Sequence, residues 1–124
     1  MNTPISLLPK VRSDQIMAAA AGQQCTLRVS SFLVGGRCSG TDTTVACHMP
    51  VDGKGTGTKV SDLFVAFGCS NCHDLVDGRN ANGQAYIIKN YPTAYMDRLL
   101  RGMAETQSRL VEARIITLAG WKMP

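Results

Sequence analysis

The sequence predicts a small α+β domain that is held together by a structural zinc ion. Two observations concern cysteines: a Cys-x-x-Cys-His motif spans residues 69–73, and a second pair, Cys25 and Cys38, lies upstream. The third observation is a mixture of short β-type runs with one long segment of helical periodicity near the C-terminus. A chain of 124 residues is long enough for one domain and short enough to gain stability from a bound metal.

The first residues of the chain predict an arm followed by a short helix. Residues 1–12 contain two prolines and show no hydrophobic periodicity, so we expect an extended arm there and a single domain over residues 13–124. Ser13 has the position of a helix N-cap, because its hydroxyl can accept a hydrogen bond from the first helical turn. Gly22 follows as the residue that ends this helix.

The middle of the chain predicts strands separated by glycine-rich turns. Strand-type composition occurs over residues 25–29, 43–48 and 63–67. A glycine-rich turn over residues 35–40 is expected to bend Cys38 back toward Cys25. Residues 52–58 are polar and rich in glycine, and they lack the residue order of a P-loop. A crossover between strands is therefore favoured there over a phosphate-binding loop.

The C-terminal part of the chain predicts helices. We expect a short helix over residues 72–77, a polar linker over residues 79–84, and a long helix that Pro92 opens and that spans about residues 93–113. The apolar face of the long helix is predicted to pack in the core and consists of Met96, Leu99, Leu100, Met103, Leu110 and Val111. Its outer face is expected to carry Arg98, Arg101 and Arg109. Residues 115–118 have the composition of a terminal strand.

The charge of the chain is mildly basic. Thirteen Lys and Arg residues stand against nine Asp and Glu residues, which gives a net charge of +4. The basic residues are spread along the chain, so they permit an acidic partner such as nucleic acid without establishing one. The sequence shows neither the pattern of an export signal nor that of a membrane span, and we therefore expect a cytoplasmic protein that does not bind membranes.

In a reducing compartment, cysteines are more often metal ligands than disulfides. The five cysteines fit a site of four zinc ligands with one residue to spare, and the spare is Cys47, which has no cysteine at ligand spacing. The predicted zinc ligands are Cys25, Cys38, Cys69 and Cys72. The alternative is a set of buried, inert cysteines. His73 could also replace one thiolate, although adjacent residues on a helix point about 100° apart.

Two histidines accompany the cysteines. His48 lies near the end of a predicted strand, and an imidazole titrates near neutral pH, which suits a general base that activates water. His73 would then be a metal ligand of the same hydrolytic site. The alternative is that His48 is an ordinary strand-end residue and that His73 binds only the zinc ion.

The order of these residues resembles that of the HNH-type (ββα-metal) nucleases. In that family a strand ends in His, a polar glycine loop and a second strand follow, and a helix carries the metal-binding His; many members add two cysteine pairs that bind zinc. The chain is more closely similar to the small prophage proteins of the YbcO type, which are described as nucleases. The motifs that carry this similarity are Ala46-Cys47-His48, Gly55-Thr56-Gly57, Asp62-Leu63, Cys69-Ser70-Asn71-Cys72-His73-Asp74 and Gly102-Met103-Ala104-Glu105-Thr106-Gln107.

The resemblance implies roles for individual residues. It implies that His48 is the general base and that His73 binds a catalytic Mg²⁺ or Mn²⁺. The middle Asn of the family motif is missing, and Asp62, which lies near its place, could orient the His48 ring instead. Asp74 or Asp77 could supply a carboxylate to the metal. The cysteines would bind a structural Zn²⁺. Residues that would hold the flanking DNA phosphates are Lys54, Lys59 and Arg79. The chain departs from the family where Cys47, a poor ligand for Mg²⁺, precedes the base.

Three functions follow from these observations. The first is a metal-dependent DNA endonuclease of phage or prophage origin, acting in the cytoplasm of the bacterial host. The second is a zinc-stapled module that binds nucleic acid without cleaving it. The third is a zinc-stapled module that binds a host protein. The presence of both His48 and His73 in the expected order favours the first. The sequence makes no prediction of the oligomeric state.

Overall fold

The computed structural model describes residues 3–4, 10–51 and 60–122. Mixed helices and a small two-stranded sheet confirm the predicted α+β class. The elements in chain order are helix α1 (Asp14–Ala18), 3₁₀ turns at Val29–Phe32 and Thr41–Thr43, strands β1 (Val45–His48) and β2 (Val65–Gly68), and helices α2 (Ser70–Val76), α3 (Ala81–Asn90) and α4 (Pro92–Glu112). The predicted loop at residues 52–58 lies outside the described residues.

The sheet is an antiparallel pair whose two faces are both covered. Val45 lies opposite Gly68 and His48 opposite Val65, and α2 begins directly after β2. Successive side chains of β2 point to opposite faces, so Ala66 packs in one core cluster while Val65 and Phe67 pack in the other. The helix α1 contacts β1, and α4 contacts β2. The side chains of β2 are therefore buried on both faces of the sheet, and those of β1 are buried at Ala46 and Cys47.

The predicted strand at residues 25–29 is wrong. Thr26 and Leu27 donate their N–H groups to one acceptor, the Phe67 carbonyl, at 2.7 and 3.4 Å, so no ladder forms. Arg28 then adopts a left-handed backbone conformation (φ 51°) and the chain turns into the 3₁₀ segment. The local alternation is overridden because Cys25 must turn toward the other cysteines, and the Arg28 N–H donates to the Cys25 Sγ at 3.4 Å.

The predicted core face of the long helix is partly wrong. Leu99 and Leu110 are buried, whereas Met96 and Leu100 have exposed fractions of 57% and 62%. The buried face of α4 consists of Tyr95, Leu99, Gly102, Thr106 and Leu110, which recur at helical spacing. Small and polar residues belong to this face because the helix packs against backbone. A Cβ atom on Gly102 would lie 3.0 Å from the Thr26 carbonyl oxygen.

Thr106 hydrogen-bonds the backbone on the edge of β2 that does not pair with β1. Its Oγ1 accepts the Phe67 N–H at 3.0 Å and lies 3.0 Å from the Thr26 Oγ1, which in turn donates to the Phe67 carbonyl. Gln107 adds a hydrogen bond from its Nε2 to the Leu63 carbonyl at 3.0 Å. A helix side chain thus takes the place of a third strand, and it does so where an unpaired N–H would otherwise be buried.

Arg98 was expected on the outer face of α4, and this expectation is also wrong. Its guanidinium donates to the Leu27 carbonyl at 3.0 Å, to the Thr26 carbonyl at 2.8 Å and to the Glu105 carboxylate at 3.1 Å. The backbone between Cys25 and the 3₁₀ turn leaves these carbonyls without a strand partner, and Arg98 satisfies them. Arg101 and Arg109 are exposed, as expected.

Two further expectations near the C-terminal half are corrected. The predicted linker at residues 79–84 contains the start of α3, which Asn80 caps by accepting the Gly83 N–H at 3.0 Å. The predicted strand at residues 115–118 is absent from the described chain. The helix α4 ends with Arg114 in a left-handed conformation (φ 60°), and the Ile115 N–H returns to the Leu110 carbonyl at 2.9 Å.

Replacing Thr106 by Val tests the role of this hydroxyl. The variant keeps the shape of the side chain but leaves the buried Phe67 N–H without an acceptor, so we expect a loss of about 2 kcal/mol in unfolding free energy. Urea unfolding measures the loss, and Ser108→Ala on the exposed side of the same helix is the matched control. A Thr106→Val variant as stable as Ser108→Ala would contradict this account of the strand edge.

Candidate functional site

Four cysteines from distant parts of the chain meet at the N-terminal end of α2. Cys69 is the N-cap residue of this helix and Cys72 lies in its first turn. Cys25 precedes the 3₁₀ turn, and Cys38 follows a turn in which Gly35 adopts a left-handed conformation (φ 69°). The ligand atoms of all four residues lie within 4.8 Å of one another. The sequence prediction that these four residues come together is confirmed.

The donor set fits a tetrahedral zinc ion. With Zn–S bonds near 2.3 Å, the sulfur atoms of a tetrahedral site are about 3.8 Å apart, and the Sγ atoms of Cys38 and Cys72 lie 3.8 Å apart. Thiolates are soft ligands that select zinc over magnesium. The Cys72 sulfur lies 2.9 Å from the Ser30 hydroxyl and accepts the Ser30 backbone N–H at 3.5 Å, contacts that would orient this thiolate toward a bound metal. Four cysteines this close can hold a metal such as zinc.

Proton sharing within the cluster opposes the formation of four thiolates. A hydrogen bond from Cys72 lowers the pKa of Cys25 to about 4. The same hydrogen bond, together with burial, raises the pKa of Cys72. Burial, followed by the charges of Cys25 and Cys69, raises the pKa of Cys38 to about 12. Metal binding must therefore displace protons from Cys38 and Cys72, and it becomes weaker as the pH falls.

A histidine–carboxylate pair lies at the end of the hairpin. His48 is the last residue of β1, and its Nε2 lies 2.8 Å from the Asp62 Oδ1. The Asp62 side chain is 7% exposed, whereas that of His48 is 31% exposed and reaches solvent. The second carboxylate oxygen, Oδ2, accepts the Ser13 N–H at 2.7 Å. The geometry holds the imidazole ring in one orientation, with a carboxylate on Nε2.

The environment of Asp62 favours its ionised form. Burial opposes ionisation, but the hydrogen bonds from His48 and from the Ser13 N–H, together with the charges of His48 and Arg12, outweigh it and lower the pKa of Asp62. Asp62 therefore remains a carboxylate at neutral pH, where it fixes the neighbouring imidazole. The sequence motif alone did not show that Ser13, the N-cap of α1, also donates to this carboxylate.

His73 lies in a second group of potential ligands, on the outer side of α2. Ligand atoms of His73, Asp74 and Asp77 lie within 4.8 Å of one another, and His73 Nε2 is 3.5 Å from the Asp77 Oδ2, one helical turn away. Among the residues that the structure describes, neither His48 nor any cysteine belongs to this group. The prediction that His73 faces away from the cysteine cluster agrees with this placement.

Two of the three basic residues that were predicted to hold phosphates, Lys54 and Lys59, lie outside the described residues. The third, Arg79, pairs with the carboxylates of the His73 group: its Nε lies 3.3 Å from the Asp77 Oδ2 and its NH1 lies 4.0 Å from the Asp74 Oδ1. Sequence reasoning missed Arg12, whose NH1 lies 4.0 Å from the Asp62 Oδ1. No motif signals Arg12, because it belongs to the segment that was predicted to be an arm.

Comparison with known proteins identifies relatives of this chain. A family model described as "Putative nuclease YbcO" matches residues 14–113. The protein named "Putative nuclease YbcO" from Escherichia coli K12 is 37% identical over 91 residues, which cover 72% of this chain and 82% of the relative. The protein of the same name from Enterobacteria phage 82 matches with the same identity and coverage. No solved structure matches the chain.

In the part of the chain that the structure describes, no helix combines the length and the apolar character that crossing a bilayer requires.

Replacing a cysteine of the cluster tests its structural role. We expect the wild-type protein to carry one equivalent of zinc per chain, and Cys72→Ser to lose it together with on the order of 5 kcal/mol of unfolding free energy. Zinc content by elemental analysis and the thermal midpoint measure the two effects. Cys47→Ala, a buried cysteine outside the cluster, is the control that should keep its zinc. Unchanged zinc content in Cys72→Ser would exclude the assignment.

The lowered pKa of Asp62 predicts a pH dependence of stability. Because folding favours the ionised form, the contribution is present above the ordinary carboxyl pKa of about 3.9 and is lost as the pH falls through the lowered value. We therefore expect the difference in unfolding free energy between the wild type and Asp62→Asn to be largest above a pH of about 4 and to shrink below it.

Urea unfolding of both proteins at successive pH values measures this difference. Both proteins carry the same cysteine cluster, so acid release of zinc cancels between them. A difference that stays constant across the acid range would show that the Asp62 carboxylate is not stabilised by its partners.

Proposed function

The chain belongs to the family described as "Putative nuclease YbcO", and from this membership we propose that it is a metal-dependent endonuclease that hydrolyses DNA phosphodiester bonds. The observation that carries the proposal is the pair formed by His48 and Asp62 at the end of β1. One relative is a phage protein and another is from a bacterium. We accordingly propose a phage or prophage function in the cytoplasm of a bacterial host.

The general base of the proposed reaction is His48. With its Nε2–H donated to the Asp62 carboxylate, the neutral imidazole has its basic lone pair on Nδ1. Nδ1 takes a proton from a water molecule as that water attacks phosphorus, and the nearby carboxylate stabilises the imidazolium that forms. Asp62 acts on the ring, not on the substrate, and is therefore a positioning residue.

The proposed ligands of the catalytic cation are His73 and Asp74, with Asp77 completing the group. A bound Mg²⁺ or Mn²⁺ supplies charge neutralisation at the departing oxygen. One imidazole and two carboxylates suit such a cation, whereas the thiols of the cysteine cluster suit structural zinc. The proposal thus separates two metals, each matched to its own donor set.

The order of the elements supports an HNH-type assignment. A strand that ends in His48, a second antiparallel strand and the helix that carries His73 follow one another as β1, β2 and α2. The cysteine cluster sits at the start of the same helix, as in the family members that add a structural zinc. The basic residues Lys54 and Lys59 remain proposed phosphate contacts on the strength of their charge and position in the sequence.

Two observations favour the alternative, a module that binds nucleic acid without cleaving it. Arg79 occupies the carboxylates that a catalytic cation would need, with its Nε 3.3 Å from the Asp77 Oδ2. The residue before the base is Cys47, which does not suit Mg²⁺. Under this alternative the zinc-stapled fold and its net charge of +4 would serve binding alone.

Nicking of supercoiled plasmid DNA tests the nuclease. We expect the purified protein to convert supercoiled plasmid to open circles with Mg²⁺ or Mn²⁺. Loss of the base in His48→Ala should lower the rate by on the order of 10²- to 10⁴-fold while the zinc content stays unchanged. Asp62→Asn should retain more activity than His48→Ala, because it removes only the group that orients the ring.

Nicking activity that co-elutes with the protein through a second purification step excludes contaminating nucleases. His73→Ala should shift the Mg²⁺ concentration that gives half-maximal nicking, and it should leave the zinc content intact. If the protein binds DNA but the plasmid stays supercoiled, the result would favour the alternative function, binding of nucleic acid without cleavage. Full activity in His48→Ala would exclude the assigned base.

A further inference from the structure

A positively charged side chain, Arg12, lies beside the pair of His48 and Asp62 and outside the segment that the family model matches. Arg12 precedes the matched residues 14–113, and its NH1 lies 4.0 Å from the Asp62 Oδ1. Its side chain is 44% exposed. The proposed base and this guanidinium therefore share one carboxylate as a neighbour, and both reach solvent.

The guanidinium is fixed by one of its nitrogen atoms. NH1 donates to the Val60 carbonyl at 2.8 Å and to the Val11 carbonyl at 3.0 Å. The backbone beneath it is tied to the next segment, because the Asp62 N–H donates to the Val11 carbonyl at 2.9 Å and the Val11 N–H donates to the Ser61 Oγ at 3.2 Å. The remaining N–H donors of Arg12 make no hydrogen bond to the described part of the chain.

Four other arginines of the described chain have a carboxylate oxygen within 3.3 Å, namely Arg28, Arg79, Arg98 and Arg101. Arg28 pairs with Glu105 at 2.6 Å, and Arg101 pairs with Asp97 at 2.8 Å. Arg12 differs from these four, because its 4.0 Å separation from Asp62 is too long for a hydrogen bond and the carboxylate already accepts hydrogen bonds from His48 and Ser13. NH1 therefore holds the guanidinium in place, while the Nε and NH2 donors make no hydrogen bond within the described chain.

We propose that Arg12 binds a DNA phosphate next to the phosphodiester bond that is hydrolysed, the bond at which His48 activates the attacking water. This inference rests on the proposed function and adds a substrate contact to it. Guanidinium groups bind phosphate oxygens through paired N–H donors, and a group held in place by NH1 loses little further entropy when it does so. The segment over residues 11–13 then belongs to the substrate site: Ser13 holds the carboxylate and Arg12 holds the phosphate.

The salt dependence of DNA binding tests this contact. Fluorescence anisotropy with a labelled duplex, without added divalent cation, gives the binding constant at several salt concentrations. Each lost phosphate contact reduces the slope of log K against log salt by about 0.9 on duplex DNA. We expect Arg12→Gln to show that reduction and Arg12→Lys, which keeps the charge, to retain most of the slope.

Arg101→Gln is the control, since it removes the same charge from an exposed arginine on α4. A second measurement uses the wild-type protein and does not depend on whether Arg12→Gln folds. Modification of arginines by phenylglyoxal, mapped by mass spectrometry, should be slowed at Arg12 by bound DNA and be unaffected at Arg101.

An unchanged salt slope in folded Arg12→Gln would overturn the inference, as would modification of Arg12 that DNA does not slow. Absence of measurable DNA binding by the wild type would overturn it as well. Binding needs no catalysis, so a protein that shows both Arg12 effects but never nicks plasmid would refute the nuclease and leave the phosphate contact standing.

Discussion

The convergence of four thiols is the constraint on which the rest of this structure depends. It joins the irregular segment between Cys25 and Cys38 to the start of α2, and within the described chain that segment has no strand partner that would hold it otherwise. Partial burial raises the pKa of Cys38, and the hydrogen bond with Cys25, together with burial, raises the pKa of Cys72, so these two thiols resist ionisation without a cation. A bound zinc ion would stabilise the thiolates, and its binding free energy would then contribute to the free energy of folding.

The position of Cys25 also determines what the long helix must contact. Thr26 follows Cys25 directly and is hydrogen-bonded to Phe67 of β2. At this place α4 therefore packs against backbone groups that have no strand partner. Gly102 permits the close approach, and Thr106 and Arg98 supply the hydrogen bonds. The Gly-Met-Ala-Glu-Thr-Gln motif near the middle of α4 therefore has a structural explanation, because it couples the helix to the cysteine segment and to the strand edge.

Sequence reasoning succeeded where local signals and the long-range constraint agreed. The hairpin strands, the cap at Ser13, the helix from Pro92 and the four-cysteine cluster were all predicted from spacing and composition. It failed where a long-range contact overrode a local pattern, as in the segment after Cys25. It also failed for α4, because apolar periodicity cannot identify a buried face that carries Gly102 and Thr106.

The contact between His48 and Asp62 was anticipated from the family pattern, but the N-terminal contacts to Asp62 were not. Ser13 has a recognisable capping role, and its separate backbone N–H donation to Asp62 depends on how residues 11–13 pack against residues 60–62. Such packing leaves no periodic or compositional trace. The same is true of Arg12. Its position follows from the hydrogen bonds of Val11 to Ser61 and Asp62, which lie about fifty residues further along the chain.

The ion pairs of Arg79 decide how the two proposed functions compare. Its side chain is 73% exposed, and exposed ion pairs contribute only about 0–1 kcal/mol. A divalent cation that binds His73, Asp74 and Asp77 would displace a contact of that small size, so the pairing is a weak obstacle to a metal site. The cysteine cluster meanwhile fixes the first turn of the helix that carries His73. Structural zinc would thereby hold a ligand of the catalytic cation in place, a coupling that a module without catalysis does not require.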